Sequence, residues 1–344
     1  MKKTVYKVEQ LLENIGVVSI IVPVYNVARF LPNSLDSVVQ QTYPYWEAVL
    51  VNDGSTDNSL EILQQYAARD SRFKVINKSN GGVASARNIG LDAITGQYVV
   101  FLDPDDMLYP QFLDIMLKTL QDSDMVWCKM RRCEENDTTD VCCRYSEYNT
   151  HQIDAFPISH FCRKRKPTLQ ISVCAKIYKK EALNEMRFET MFKVMAEDFY
   201  FSLRVFELLK KAIYISTPLM LYRKNSMSLT HRRISFETVD DHLLLLQCSV
   251  WHFKDTLDRS TRICFMRRLM RIVFRYVCTT PYLQSENFVA YWQKYSDKCR
   301  ILQKQNVFCP QYLPLFHRFL CCLFLQRKWS ALRLILHLYT KLHK

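Results

Sequence analysis

The sequence predicts an α/β fold in which a mostly parallel sheet is flanked by helices and followed by a helical, basic C-terminal region. Three observations support this prediction. Strand-like and helix-like segments alternate over the first half, VVSIIVPVY (17–25) is an unbroken apolar run, and the last third is rich in Lys and Arg. Strands of parallel sheets are covered on both faces and have continuous apolar runs of this kind.

The other elements follow in order along the chain. Helices are predicted to end near Gln40, Arg69 and Thr95, and the acidic start of EDFYFSLRVFELLK (197–210) indicates a further amphipathic helix. From about residue 232 onward the pattern is helical, aromatic and basic. Further strands are expected at WEAVLVND (46–53), FKVINK (73–78), QYVVFLD (97–103) and DMVWCKM (124–130).

Charge is distributed unevenly along the 344 residues. From His231 to the end there are 19 Lys and Arg against 7 Asp and Glu, whereas residues 1–230 carry 28 against 27. Such asymmetry indicates an anionic partner, either nucleic acid or lipid head groups. No nucleic-acid-binding motif accompanies the charge, so nucleic acid is disfavoured. We therefore expect an α/β domain over residues 1–230 and a basic helical region over 231–344.

Cysteine usage and the N-terminus indicate a cytoplasmic protein. Thirteen cysteines are scattered without a C-x-x-C pair, which is typical of a reducing compartment. The N-terminal MKKTVYKVEQLLENIG has charged residues where a signal peptide would have its apolar core. No apolar run reaches the roughly 18–20 residues that a spanning helix requires.

Polar side chains follow each of the first four predicted strands. The carboxyl ends of parallel strands lie along one edge of a sheet, where ligands bind in open α/β folds. We therefore expect one crevice to collect the four clusters. These are Tyr25 and Asn26, then Asn52, Asp53 and Gly54, then Gly81, Gly82 and Arg87, and finally Asp103, Asp105 and Asp106.

The fourth cluster, in FLDPDDMLYP (101–110), admits two interpretations. A D-x-D turn stiffened by Pro104 presents hard oxygen ligands to Mg²⁺ or Mn²⁺. The ordinary alternative is turn chemistry with helix capping. The position at the edge of a ligand crevice favours the metal interpretation.

Three other features have similar alternatives. Asp53 either holds its turn or accepts a hydrogen bond from a nucleotide base. The glycine pair in GGVASARNIG (81–90) either opens a helix or presents backbone donors to a phosphate. Glu197 and Asp198 are either stabilised by a helix dipole or supply a general base.

Five segments, in this order, resemble the motifs of a family 2 glycosyltransferase with a GT-A fold: IIVPVYN, VNDGSTDNS, GGVASARNIG, FLDPDD and AEDFYF. The resemblance covers roughly residues 17–225. It implies inverting transfer of a sugar from a nucleotide-diphosphate donor, most often a UDP-sugar, to a glycan or lipid-linked acceptor. It also implies a role in surface-polysaccharide or lipopolysaccharide synthesis. The catalytic domain, 1–230, would have a nucleotide-binding half over about 17–130 and an acceptor half over about 131–230.

The resemblance further implies roles for individual residues. Asp198 would be the base, supported by Glu197. Asp105 would be the principal ligand of a manganese or magnesium ion, and Asp103 would contact the ribose and the metal. The family's usual D-S-D-D is D-P-D-D here, which keeps both liganding positions. The remaining donor contacts would be Pro23, Val24, Tyr25 and Asn26 for the nucleotide, Asp53 for the base and Arg87 near the diphosphate.

Two other functions remain as alternatives. A sugar nucleotidyltransferase would normally have a glycine-rich, basic N-terminal loop, which PVYNVARF (23–30) does not resemble. A nucleotide- or glycan-binding protein without activity, recruited to a membrane by its tail, is the other alternative.

The tail, WSALRLILHLYTKLHK (329–344), is amphipathic. It either lies on the anionic inner face of the plasma membrane, as a peripheral contact, or packs against the rest of the protein. Its apolar face consists of Trp329, Leu332, Ile335, Leu336, Tyr339 and Leu342.

Overall fold

A computed structural model describes residues 16–134, 147–154, 171–224, 235–253, 255–279 and 287–342. Parts of the expected acceptor half, 135–146, 155–170 and 225–230, lie outside these ranges. The described residues form two compact units. Unit 1 comprises 16–134, 147–154, 171–190 and 197–224, and unit 2 comprises 191–196 together with the described residues from 235 onward.

The first half of unit 1 alternates strands and helices, as predicted. The strands β1 to β4 are adjacent in the order β3-β2-β1-β4 and all parallel. Every residue of β1 and β2 is buried, which explains their unbroken apolar runs. The elements are β1 (Val18–Val24), α1 (Leu31–Val39), β2 (Trp46–Asp53), α2 (Ser59–Arg69), β3 (Phe73–Lys78), α3 (Val83–Ala93) and β4 (Tyr98–Phe101).

The second half extends the same sheet with mixed strand directions. The order continues β4-β8-β6-β9-β5, with β7 also paired to β9. Strand β8 is antiparallel to both β4 and β6, whereas β6 and β9 are parallel. The elements are β5 (Met107–Leu108), α4 (Phe112–Leu120), β6 (Met125–Glu134), β7 (Thr150–Asp154), β8 (Lys176–Lys179), α5 (Glu197–Leu208) and β9 (Lys211–Lys224).

Helix α3 packs unusually close to β1, and a glycine permits this. A Cβ atom on Gly90 would lie 2.4 Å from Cγ2 of Ile21. Real Cβ atoms do not approach another carbon so closely, so any larger residue would force the helix away from the strand. The last glycine of GGVASARNIG therefore sets the depth at which α3 lies against the sheet.

Unit 2 is helical, as the sequence predicts. Asp258 caps the second of its helices by accepting hydrogen bonds from the backbone N–H groups of Ser260 and Thr261. Within the described ranges, no helix combines the length and the apolar character needed to cross a bilayer. The helices are α6 (Phe236–Phe253), α7 (Arg259–Phe274), α8 (Phe288–Lys304), α9 (Leu315–Leu325) and α10 (Trp329–Leu342).

The apolar face of the tail helix α10 is used inside unit 2. Leu332 and Leu336 are buried. The ring of Trp329 lies 5.9 Å from that of Trp292 and 6.1 Å from that of Phe324. Of the two alternatives for this face, packing against protein is the one that the structure shows for Leu332 and Leu336. The side chains of Tyr339 and Leu342 lie outside the described ones.

A buried carboxylate organises the chain just before α5. Asp241, on α6, accepts hydrogen bonds from the backbone N–H groups of Lys193 at 3.0 Å, Val194 at 2.7 Å and Met195 at 2.9 Å. All four residues belong to unit 2. Three backbone donors satisfy a carboxylate well and fix the path of the loop they come from.

Candidate active site

The loops after β1 and β2 meet at the carboxyl edge of the sheet. Register pairs Val24 with Asn52 across the two strands. Asn26 then ties the loops together, since its side-chain oxygen accepts a hydrogen bond from the N–H of Thr56 at 2.7 Å. Pro23 and Val24 are buried within β1, whereas Tyr25 is 49% exposed. Of the four residues predicted to line the nucleotide site, only Tyr25 and Asn26 therefore present accessible side chains.

Asp53 is buried at the end of β2 and holds the turn that leads into α3. One of its oxygens accepts the N–H of Gly81 at 2.9 Å and the other accepts that of Gly82 at 2.8 Å. The ammonium of Lys78 also bonds to this carboxylate. The glycine N–H groups considered as phosphate donors thus point at Asp53, and Gly82 accommodates the left-handed φ of 86° that this turn requires.

The acidic turn after β4 separates its three carboxylates into two groups. The N–H of Asp106 donates to the carbonyl of Asp103 at 3.0 Å, which closes a turn with Pro104 at its second position. Asp106 points inward, where its carboxylate accepts the N–H of Arg223 at 2.9 Å. Burial, followed by the charges of Asp105 and Asp103, raises the pKa of Asp106 well above its usual range. Asp103 and Asp105 remain partly exposed at the edge.

Arg87 joins this turn to the acidic start of α5. Its buried guanidinium donates to Glu197 at 2.9 Å and to Asp103 at 3.0 Å. The ring of Phe188 lies 5.3 Å from the guanidinium carbon. Burial alone would lower the pKa of Arg87, but the charges of Asp103 and then Glu197 raise it overall. Residues 110 positions apart are therefore in direct contact at this edge of the sheet.

The two acids of α5 occupy its first turn, where the helix dipole favours negative charge. Glu197 is buried, and burial together with the charge of Asp198 raises its pKa to about 7 against the opposing effect of Arg87. Asp198 is partly exposed. Its pKa is also raised, first by desolvation, while Arg87 acts in the opposite direction and Asp103 adds to the increase. A carboxylate with a raised pKa is a stronger base than an ordinary one.

Two site residues on the approach to β8 were not predicted from the sequence. Cys174 is buried, and burial followed by the negative charge of Asp103 holds the pKa of its thiol well above the usual range. Lys176 is fully buried next to it. A lysine inside the apolar segment SVCAKIY (172–178) was the available signal.

Named relatives share this sequence pattern. Glycosyltransferase GlyA of Streptococcus pneumoniae serotype 4 is 32% identical over 219 residues, which is 62% of this chain and 31% of GlyA. The uncharacterized glycosyltransferase EpsJ of Bacillus subtilis is 32% identical over 244 residues, which is 67% of each protein. The chain therefore corresponds to less than a third of GlyA and to two thirds of EpsJ.

Solved structures share the fold. Residues 1–349 of S. aureus TarS, in complex with UDP-GlcNAc, align with a TM-score of 0.70 at 19% identity and cover 94% of this chain and 91% of that one. Mannosyltransferase PcManGT of Pyrobaculum calidifontis, in complex with GDP-Man and Mn²⁺, aligns with a TM-score of 0.53 at 18% identity, covering 93% and 84%.

The sheet order and the acidic edge define the class, a GT-A-type α/β fold with a helical C-terminal region, which confirms the predicted fold. The family model described as Glycosyl transferase family 2 matches residues 19–187. With the likeness to EpsJ, this match gives the identification: the chain belongs to glycosyl transferase family 2, a family of transferase enzymes.

Proposed function

We propose that the protein transfers a sugar from a nucleotide-diphosphate donor to an acceptor hydroxyl with inversion of the anomeric configuration. The observation that carries this proposal is the Arg87 bridge between Asp103 and Glu197. It puts the acidic edge expected to hold the donor beside the helix that bears the expected base. On this proposal, residues 1–230 are the catalytic domain and 231–344 a separate C-terminal region.

The donor is proposed to lie along the carboxyl edge of β1 to β4. Tyr25 and Asn26 would contact the nucleotide. Asp53 would accept a hydrogen bond from its base through the oxygen that binds only the N–H of Gly82. The UDP-GlcNAc bound in the TarS structure supports a UDP-sugar as the donor. The GDP-Man bound in PcManGT keeps GDP-sugars as candidate donors. The guanidinium of Arg87 would lie near the diphosphate and offset its charge.

Asp103 and Asp105 are proposed to hold a divalent cation, manganese or magnesium. Among the described residues, no group of three or more His, Cys, Asp or Glu forms a cage for a metal. Two carboxylates on a tight turn still fit, because Mg²⁺-type ions are commonly held by one or two carboxylates and completed by substrate phosphates. The effect of Asp103 and Asp105 on the pKa of Asp106 reflects the negative charge concentrated at this turn. Bound there, the cation would stabilise the charge of the leaving diphosphate.

The chemical step is proposed as a single displacement. Asp198 takes the proton of the acceptor hydroxyl while that oxygen attacks the anomeric carbon. The bond from this carbon to the diphosphate oxygen breaks, and the nucleoside diphosphate leaves with both electrons. Asp198 is suited to this role because it is partly exposed to a substrate and has a raised pKa. General bases contribute about 10²–10⁴-fold to such steps.

The acceptor is proposed to be a glycan or a lipid-linked oligosaccharide of surface-polysaccharide synthesis. Such an acceptor would lie at the inner face of the plasma membrane, so we also propose a cytoplasmic enzyme that binds this surface peripherally. In unit 2, Arg267 and Arg271 are exposed four positions apart on α7. Leu315 and Phe319 are 79% and 52% exposed four positions apart on α9. These residues take the place of the α10 face as the candidate contact.

A donor screen tests the transferase proposal. The full chain is incubated with UDP- and GDP-sugars and Mn²⁺ or Mg²⁺, and release of the nucleoside diphosphate is measured with and without lipid-linked acceptors. We expect Asp198→Asn to lose at least about 100-fold in turnover while UDP binding is retained. We expect Asp105→Ala to lose both activity and metal dependence. Full activity of Asp198→Asn, or full activity in a chelator, would contradict the proposal.

Vesicle sedimentation tests the membrane contact separately. The full chain should bind vesicles containing phosphatidylglycerol at low salt and be released at high salt, because surface attraction is screened. Leu315→Glu with Phe319→Glu should abolish binding. Trp251→Glu is the matched control, since Trp251 is 72% exposed on α6. Equal binding by the wild type and the double variant would rule out this contact.

A further inference from the structure

Arg223 lies near the end of β9 in unit 1, where it is buried. Its backbone N–H donates to the Asp106 carboxylate at 2.9 Å. From its side chain, Nε donates to the backbone carbonyl of Asp105 at 3.0 Å, and Nη2 donates to Sδ of Met107 at 3.4 Å. One residue therefore contacts three consecutive residues of the acidic turn and the strand after it, across 116 to 118 positions of the chain.

The side-chain bond from Arg223 fixes the backbone of the turn at Asp105. The turn itself is short, since the N–H of Asp106 closes it on the carbonyl of Asp103 and the strand that follows, β5, has two residues. The carbonyl of Asp105 faces the buried guanidinium, while the residue as a whole stays partly exposed at the sheet edge. Because the direction of a side chain follows from its backbone, this bond orients the carboxylate proposed to bind the cation.

Holding β9 in the sheet does not require the guanidinium. The strand is paired with β6 over Ala212–Lys224 through its backbone, whatever its side chains are. Beyond the turn, the guanidinium carbon of Arg223 lies 5.5 Å from the centre of the Phe30 ring. Phe30 comes just before α1, in the segment that carries Tyr25 and Asn26. The same guanidinium therefore contacts the turn proposed for the cation and the segment proposed for the nucleotide.

We propose that Arg223 is a positioning residue that fixes the backbone of Asp105, and with it the direction in which the Asp105 carboxylate meets the divalent cation. This inference rests on the proposed role of Asp105 as a metal ligand. Arg223 acts through Asp105 and is not itself a ligand. Groups that orient metal ligands in this way typically contribute about 10–100-fold to metal affinity.

Two substitutions separate the hydrogen bond of Arg223 from its charge. Along the side chain, Nε2 of glutamine and Cε of methionine take the place that Nε has in arginine. Arg223→Gln therefore keeps a donor for the Asp105 carbonyl without the charge, whereas Arg223→Met has neither. Both keep the backbone N–H that bonds to Asp106. Two matched controls lie on the same strand: Ile215→Ala removes buried packing, and Lys224→Met removes an exposed charge.

The experiment measures Mn²⁺ binding to the full chain. Electron paramagnetic resonance of free Mn²⁺ gives the Kd for the ion in the presence of saturating UDP, calorimetry gives the UDP affinity without metal, and thermal unfolding gives the Tm. For Arg223→Met we expect the Kd for Mn²⁺ to rise about 10–100-fold while UDP affinity without metal is retained. Arg223→Gln should stay close to the wild type. Both controls should keep the wild-type Mn²⁺ affinity, although Ile215→Ala should lower the Tm at least as much as Arg223→Met.

The outcomes separate this inference from the function it rests on. If the wild type with UDP binds no Mn²⁺, or Asp105→Ala binds it as well as the wild type, the metal assignment fails and the inference with it. If Asp105→Ala loses Mn²⁺ but Arg223→Met binds it as the wild type does, only the inference is overturned.

Two further results would also overturn the inference. An equal loss of Mn²⁺ affinity in Arg223→Gln and Arg223→Met would assign the effect to charge and not to the hydrogen bond with Asp105. An equal loss in Ile215→Ala, or an Arg223→Met protein that fails to fold, would show that the arginine serves the fold.

Discussion

Replacing Arg87 should destabilise unit 1 far more than replacing an exposed arginine. Arg87→Met removes two charge-assisted hydrogen bonds, of 2.9 Å to Glu197 and 3.0 Å to Asp103, from a buried guanidinium. Each such bond contributes about 1.5–3 kcal/mol, and breaking a buried ion pair costs about 3–5 kcal/mol. We therefore expect the free energy of unfolding to fall by about 3–5 kcal/mol at pH 7.

Arg87→Lys separates the charge from the geometry of the bridge. A lysine keeps the positive charge, but its single ammonium cannot form both bonds with the fork geometry of a guanidinium. Loss of one bond predicts a decrease of about 1.5–3 kcal/mol, roughly half that of Arg87→Met. Arg187→Met is the matched control, since Arg187 pairs with Asp92 at 2.7 Å with both side chains largely exposed, and should cost about 0–1 kcal/mol.

The assay is denaturant unfolding of the full chain, followed by tryptophan fluorescence and repeated at several pH values. The loss in Arg87→Met should grow as pH rises, because Glu197 without its cation is tolerated best when protonated. A loss in Arg87→Met no larger than that of the Arg187 control would refute the reasoning. Wild-type stability in Arg87→Lys would also refute it, because a positive charge without the guanidinium geometry would then be sufficient for the bridge.

Three further predictions concern the pH dependence and the packing. Because the pKa of Glu197 is raised from 4.5 to about 7, the folded state holds its proton more tightly, and stability falls as pH rises between these values. Unfolding titrations at pH 4.5 and pH 7 measure this decrease in the free energy of unfolding, and Glu197→Gln should make it smaller by about 3 kcal/mol. An equal decrease in the variant and the wild type would show that Glu197 is not its source. Gly90→Ala should lower the free energy of unfolding by about 1–3 kcal/mol, because it forces a Cβ atom against Ile21. Denaturant unfolding should show a smaller decrease when the same substitution is made in the Ile21→Ala variant. Asp241→Asn should lower the Tm of the full chain, because it leaves a backbone N–H unpaired. Asp240→Asn, whose pairs with Lys294 and Lys298 are partly exposed, should lower the Tm less.

The parallel half of the sheet could be predicted from the sequence because its strands are covered on both faces. Such strands leave continuous apolar runs, and the turn residues after them mark the carboxyl edge. Strand β8 lies within SVCAKIYKKEALNEMRF (172–188), a segment whose pattern predicts a strand followed by a helix, so its presence could be predicted but its direction could not. Its antiparallel direction is set by pairing with β4 and β6, which local sequence does not encode.

The sequence identified most residues of the candidate site but not the contacts between them. The acids and Arg87 were identified by motif and by their places at strand ends. The bridge from Arg87 to Glu197 spans 110 positions, and no local pattern indicates it. The triplet of acids likewise gave no sign that Asp106 turns inward to the backbone of Arg223. For the face of α10 the sequence left two alternatives open, because an amphipathic pattern marks an apolar face without indicating whether protein or lipid covers it.

The bridge made by Arg87 has a consequence for how two distant parts of the chain are held together. One guanidinium, carried on a helix of the early part of the chain, joins an acidic turn before residue 110 to a helix that begins at Glu197. The bridge therefore closes a loop of 110 positions that contains β6, β7 and β8, and it holds the acidic turn and the start of this helix together directly as well as through the sheet.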